Sequence, residues 1–386
     1  MRITDVQTVI VGNPWKNWLF VQLQTDEGIH GVGEGTLNAF ARTVEAAVYE
    51  LRHRYIGMDP FQIETIVQRM TRDVYSEGGQ IHGAAVCAVE TACWDIIGKA
   101  LNQPVYNLMG GRYHESLRAY ANGWYRGDRD PESVARQARD VIARGYTAMK
   151  FDPFGAAHRI MEPRDRDLSI AIVEAVRDAV GPDIDLFIEG HCRFTVSEAI
   201  RIAELLAPYN PGWFEEPVAH MNVDAVVEVA RHSPVPIATG ESFSSVHQFA
   251  ELFSHNAVHI VQPEPLNLGG LWNARKVCGM ADAFYAQTAP HQAQGPVATA
   301  ITTHLNASCP NTYVSELFDE FNVEWERDLV DHPAQVVDGY LQISDRPGLG
   351  IELNLDIAAQ HPYRDTNFLP LFDEGWERRT GATKAN

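Results

Sequence analysis

Lysine is almost missing from this sequence. There are five in 386 residues, no basic run accompanies them, and the formal net charge is −20. Nucleic acids and anionic membranes are bound through clustered Lys and Arg, so this balance argues against a polyanionic partner. Uninterrupted apolar runs stay well below the roughly 20 residues of a membrane span. The N-terminus, Met1-Arg2-Ile3-Thr4-Asp5, has no apolar leader core, and the expected location is the cytoplasm. Cysteine is sparse too. Cys87, Cys93, Cys192, Cys278 and Cys309 are odd in number and show no CxxC spacing, which suits reduced thiols packed as small apolar side chains. The remainder, 45% hydrophobic and 21% charged, is ordinary for a globular protein. Its length allows two domains, or one large barrel with an addition.

Residues 1 to about 35 alternate with a period of two, over Ile3 to Val11, Trp18 to Thr25 and Ile29 to Glu34. This predicts a three-stranded antiparallel sheet. The loop Gly12 to Asn17 between the first two strands is either a lid over a site, through Trp15 and Lys16, or an exposed turn. From Asn38 to Leu101 the pattern is helical, with Ala84, Ala85, Ala88, Ala92 and Trp94 on one packed face. The rhythm then changes. Short β-rich runs at 117–121, 148–151, 185–189, 213–215, 237–241, 258–262, 283–287 and 313–316 alternate with helical stretches such as 131–144, 166–180, 196–206 and 223–232. Eight strands alternating with helices predict a barrel whose chemistry sits at the C-terminal strand ends. Residues 335–354 alternate again and are expected to rejoin the first sheet; the last dozen residues read as a loose tail.

Three of these strand ends close on a carboxylate. Glu189, Glu215 and Glu241 recur 26 residues apart, one strand, one helix and two loops each time. Hard oxygen ligands converging from rigid elements suit Mg²⁺; held together without a cation, like charges would repel strongly. Glu216 points elsewhere on its strand and has a supporting role. His191 follows Glu189 after a single glycine, Gly190, so both side chains can turn into one cavity. His291, at the end of the seventh strand, gains a neighbour in Glu264 at the end of the sixth, which could fix its tautomer and raise its basicity. Lys150 ends the second strand and is the sole lysine between residues 100 and 275; it contacts either the substrate or the ligand carboxylates. Glu316 ends the eighth strand, either as a protonated donor to substrate or as one more polar group closing the ring.

With these residues in place, the chain resembles the enolase superfamily, in its mandelate racemase subgroup. The likeness runs from residue 1 to about 354. It is carried by Ala92 to Lys99, Pro104, Gly110-Gly111, Glu215-Glu216-Pro217, Gly240-Glu241 and the Asn267 to Gly270 turn. The resemblance implies a (β/α)7β modified TIM barrel with an N-terminal α+β capping domain. Residues 1–112 would form the cap, completed by about 335–386, and 113–334 the barrel. It also implies Mg²⁺ on the three carboxylates and a homo-oligomer, commonly a dimer or octamer. Within the subgroup the pattern is most similar to acid-sugar dehydratases of the gluconate and galactonate type, where residues matching His191 and His291 act as acid and base.

Three departures stand out. Glu189 and Glu264 replace the usual Asp, and Asp152 stands where racemases of the group carry the second lysine of Lys-x-Lys. Racemisation needs a proton acceptor on each face of the α-carbon, whereas dehydration needs one base and one acid. The expectation is therefore a lyase acting on a small sugar acid: His291 takes the α-proton to give an enediolate, Lys150 assists at the carboxylate, and His191 protonates the departing β-hydroxyl. Epimerisation or cycloisomerisation through the same intermediate, or a barrel that binds sugar acids without turnover, are the alternatives.

Overall fold

The computed structural model describes residues 1–75 and 78–378. The chain opens with β1 (Ile3–Asn13), β2 (Lys16–Thr25) and β3 (His30–Glu34), an antiparallel sheet in the order β1-β2-β3. The helices α1 (Ala41–Glu50), α2 (Ile63–Met70) and α3 (Gly79–Leu101) follow. α3 is buried without a break from Ala84 to Gly98, and it lies on β3 at a spacing only glycine permits. A β-carbon on Gly31, Gly33 or Gly35 would stand 2.2, 2.1 or 2.8 Å from the carbonyl oxygens of Ala92, Ala88 and Ala84. Two strand residues advance about 6.7 Å and four helical residues about 6 Å, so the glycine and alanine rows stay in step.

After the short α4 (Val105–Leu108) the barrel begins. Its strands are β4 (Ser116–Ala121), β5 (Ala148–Phe151), β6 (Asp185–Glu189), β7 (Trp213–Glu215), β8 (Ile237–Thr239), β9 (Ile260–Val261), β10 (Gln287–Thr288) and β11 (Ser315–Leu317). The helices between them are α5 (Pro131–Ala143), α6 (Pro163–Val180), α7 (Val196–Leu206), α8 (Val223–His232), α9 (Val246–Ser254), the one-turn α10 (Pro265–Leu268) with α11 (Leu271–Ala283), and α12 (Pro296–Ser308). Neighbours pair in parallel from β4 to β10, and β11 returns to β4. Backbone bonds from Thr288 N to Asn311 O and from Tyr313 N to Thr288 O close the ring. The expected capping domain and (β/α)7β barrel are both present. Among the described residues, no helix is long and apolar enough to cross a membrane.

Several local expectations need correcting. The seventh strand is Gln287–Thr288 and not 283–287, because α11 runs on to Ala283 and the left-handed Tyr285 (φ 55°) makes the turn. Residues 335–354 do not rejoin the first sheet. β12 (Val336–Val337) and β13 (Tyr340–Gln342) form a hairpin, and β13 pairs antiparallel with Ser116–Arg118, the first half of β4 that the parallel neighbours leave open. The turn between them is Asp338-Gly339, both at positive φ, a sequence that favours two-residue hairpins. Past it, Leu349 N donates to Asp95 on α3 and Val105 N to Gly348 O, and α13 (Leu355–Gln360) packs by β1. The tail expected to be loose is held where it is described: Trp376 is buried and its Nε1 donates to Gly155 O. The rest of that stretch, 379–386, lies outside the described residues.

Candidate active site

Strand alternation builds the barrel interior in two layers. Tyr120, Ala148, Phe187, Trp213, Ala238, Ile260, Ala289 and Val314 form a buried apolar layer, with Phe187 and Trp213 stacked at 3.5 Å between ring centroids. Two residues further along, on the same inward face, come Asn122, Lys150, Glu189, Glu215, Gln262, His291 and Glu316. The apolar layer floors the site and excludes water from below.

Glu189 and Glu215 are direct neighbours in the β6–β7 register. Glu241 lies two residues past the end of β8, turned back by Gly240 at φ 123°, so it stands on a loop and not, as expected, at the end of a strand. One oxygen from each of the three lies within 4.8 Å of the others. Burial together with mutual repulsion raises all three pKa values above the ordinary carboxylate range, against the pull of Lys150 and, for Glu241, of His291.

Lys150 reaches the ligand carboxylates, one of the two contacts expected of it. Its Nζ contacts Glu215 closely, Glu316 at 2.9 Å and Glu189 at 3.2 Å. Burial works against its charge, but Glu215 and Glu316 outweigh it and the pKa is raised. Glu316 accepts in this structure. Burial raises its pKa, yet Lys150, His291 and the Gln292 N–H outweigh that and hold it below the usual value; its oxygens accept from Asn122 Nδ2 and Gln292 N, both at 2.8 Å.

The two histidines stand across the mouth from each other, four strands apart in a ring of eight among the described residues. His291 Nδ1 is 2.7 Å from Glu264, and its Nε2 is 3.3 Å from Glu241 and 4.0 Å from Glu316. Burial lowers its pKa, but Glu241, Glu316 and Glu264 together lift it to about 10. His191, in the left-handed region at φ 47°, has Nδ1 2.7 Å from Asp152. Asp152 is also clamped by the fully buried Arg193, and Trp376 sets its ring edge-on to His191 at 6.4 Å. Trp15 is no exposed turn: it is buried against Phe318, while Lys16 Nζ donates to Ala293 O at 2.7 Å in the loop that follows His291.

The donor set fits a hard divalent cation. Three carboxylates, those of Glu189 and Glu215 buried and that of Glu241 partly so, converge with Lys150 and His291 as the cations beside them, and the buried Gln262 amide in the same layer has no hydrogen-bond partner among the described residues. Such groups are expected to meet water or an ion.

The family model described as "Enolase C-terminal domain-like" matches residues 133–357, and the "Mandelate racemase / muconate lactonizing enzyme, N-terminal domain" matches residues 5–110. This chain belongs to the enolase superfamily, in its mandelate racemase subgroup. Among superfamily members, a D-gluconate dehydratase of Thermoproteus tenax is 33% identical over 90% of this chain and 70% of its own length. A D-gluconate/D-galactonate dehydratase of Picrophilus torridus is 33% identical over 88% and 87%. A D-galactonate dehydratase of Pectobacterium atrosepticum is 32% identical over 93% and 94%. A solved mandelate racemase/muconate lactonizing enzyme from Jannaschia superposes with a TM-score of 0.89 at 34% identity, covering 94% of this chain and 98% of that one.

Sequence reasoning left Asp152 without a role and passed over Arg193, Asn122 and Trp376. Asp152 had a signal: it lies two residues after Lys150. Which histidine it serves depends on the β5–β6 pairing, and Trp376 reaches the site from more than 180 residues downstream of His191, so no local pattern announces it.

Proposed function

We propose that this superfamily member is a hydro-lyase that dehydrates an aldonic acid of the gluconate or galactonate type to its 2-keto-3-deoxy acid. The observation that carries this reading is the pair of imidazoles facing each other across the carboxylate cluster, each held at Nδ1 by its own carboxylate. The dehydratases to which the chain is similar support the reaction class. Mg²⁺ held by Glu189, Glu215 and Glu241 would bind the substrate carboxylate, share the charge that develops there, and draw off the carboxylate field that keeps His291 protonated.

His291 takes the α-proton at Nε2. Glu264 fixes the other nitrogen as the N–H tautomer and steadies the imidazolium that forms. Lys150 leans toward the substrate carboxylate as its charge grows, the moment at which fixed positive groups contribute most. His191 hands a proton from Nε2 to the departing β-hydroxyl, with Asp152 holding Nδ1–H. The C3–O bond breaks, water departs, and the enol left across C2 and C3 takes a proton at C3 to become the 2-keto-3-deoxy acid.

A second reading has an observation of its own. The His191–Asp152 pair also has the make-up of a second base, so α-epimerisation is the competitor. Incubation with Mg²⁺ and a panel of hexonic, pentonic and aldaric acids, assayed for 2-keto-3-deoxy product, separates them: product supports dehydration, and a new epimer without water loss overturns it.

A further inference from the structure

Beside the carboxylate cluster lies a second convergence of donors that the proposed reaction does not use. Cys192 follows His191 in the loop after β6, Glu216 follows Glu215 at the end of β7, and His220 lies in the loop leading to α8. One ligand atom from each lies within 4.8 Å of the other two. Cys192 Sγ is 2.7 Å from Glu216 Oε2 and 3.8 Å from Ser242 Oγ. Glu216 is fully buried, and its Oε1 accepts from Thr239 Oγ1 and Gly240 N, both at 2.7 Å. Its carboxylate is thereby oriented with Oε2 turned to the thiol, as a supported one-oxygen ligand would be.

His220 supplies the independent observation. Its ring stands edge-on to Phe243 at 6.4 Å, and no hydrogen bond or ion pair from the described residues engages its nitrogens. Burial lowers its pKa, which leaves a neutral imidazole with a free lone pair. Cys192 and His220 are both half-buried, so an ion can reach them.

We propose that Cys192, Glu216 and His220 form a site for a soft or borderline divalent cation, Zn²⁺ by preference, distinct from the three-carboxylate cluster. One sulfur, one nitrogen and one oxygen ligand, with a fourth position left to water, is a donor set suited to zinc and poorly suited to Mg²⁺. On binding, the Cys192 thiol gives its proton to solvent, and a metal–sulfur bond replaces the S–H···O bond to Glu216.

The test is titration of the full-length protein in saturating Mg²⁺ with Co²⁺, read by thiolate-to-metal charge-transfer absorption, and with Zn²⁺, read by calorimetry. The expected result is one equivalent with a thiolate band. Cys192→Ser and His220→Gln, each folded by thermal melt, should lose the band and weaken Zn²⁺ by more than about 100-fold, beyond the 10- to 100-fold typical of losing an outer-shell partner. Absence of the band, or a band and affinity unchanged in both variants, overturns the site. Neither result depends on turnover, so failure here is distinguishable from failure of the dehydratase reading.

Discussion

Asp152 serves two partners at once, Arg193 through an ion pair and His191 through Nδ1. Burial pushes its pKa up, but Arg193 and the His191 hydrogen bond outweigh that and hold it low, so it stays an acceptor. An acceptor at Nδ1 leaves Nε2 as the nitrogen that faces substrate, the same division of labour as in Ser-His-Asp hydrolases. Asp152→Asn should therefore slow elimination by about 10- to 100-fold, the range seen when a supporting hydrogen-bond partner is lost, while α-proton exchange with solvent, driven by His291, persists. The ratio of deuterium wash-in to product formation reads this directly. Equal loss of both would make Asp152 a structural residue only. At this scale the sequence was legible where chemistry repeats: the interval between the glutamates and the neighbouring His291 and Glu264 are visible in one dimension. Lys150 was not, because its choice between substrate and carboxylates depends on side-chain reach.

The elements are positioned by backbone contacts more than by side-chain bulk. Gly31, Gly33 and Gly35 bring β3 against α3, and two buried glutamates of the cap then hold the barrel. Glu34 accepts from Gly295 N and Ala298 N at the start of α12, and Glu90 from Leu271 N and Trp272 N at the start of α11. Carboxylates at helix N-termini satisfy amides that have no partner within the helix. Gly33→Ala would drive a methyl to 2.1 Å from Ala88 O, and is expected to lower stability by about 1–3 kcal/mol or more, measured by urea unfolding. An unchanged midpoint would mean that the strand–helix spacing yields freely. Helix and strand types were readable from period, as the match at 196–206 and 223–232 shows. The seventh strand was misplaced because Met280 to Phe284 is apolar enough for either state, and only the α11 hydrogen bonds decide.

Across the whole molecule, the junction of cap and barrel contains a buried histidine. His304 on α12 accepts from Tyr106 N at 3.3 Å and stacks on the Tyr106 ring. Burial lowers its pKa to about 4, against a hydrogen bond with the Leu349 backbone. The unfolded chain, with an ordinary histidine near 6.5, binds the proton first as pH falls, so this contribution is intact above pH 6.5 and lost progressively down to pH 4. The loss amounts to about 3 kcal/mol. The difference in unfolding free energy between the parent and His304→Asn should shrink over that window; a difference independent of pH would show that His304 does not titrate as described. Fold class was legible because alternating strands and helices over more than 200 residues admit few architectures. The return of the chain through β13 to β4 was not, since an open strand edge exists only once the barrel has closed.

In the proposed reaction His291 and His191 divide the work of base and acid. Proton NMR of gluconate or galactonate, whichever is consumed, incubated with the protein and Mg²⁺ in D₂O tests it most directly. The expected result is loss of the α-proton signal together with a 2-keto-3-deoxy product carrying solvent deuterium at C3, and neither change in His291→Asn. Recovered acid or its epimer with deuterium at the α-carbon and no loss of water would contradict it, and would make His191 with Asp152 a second base.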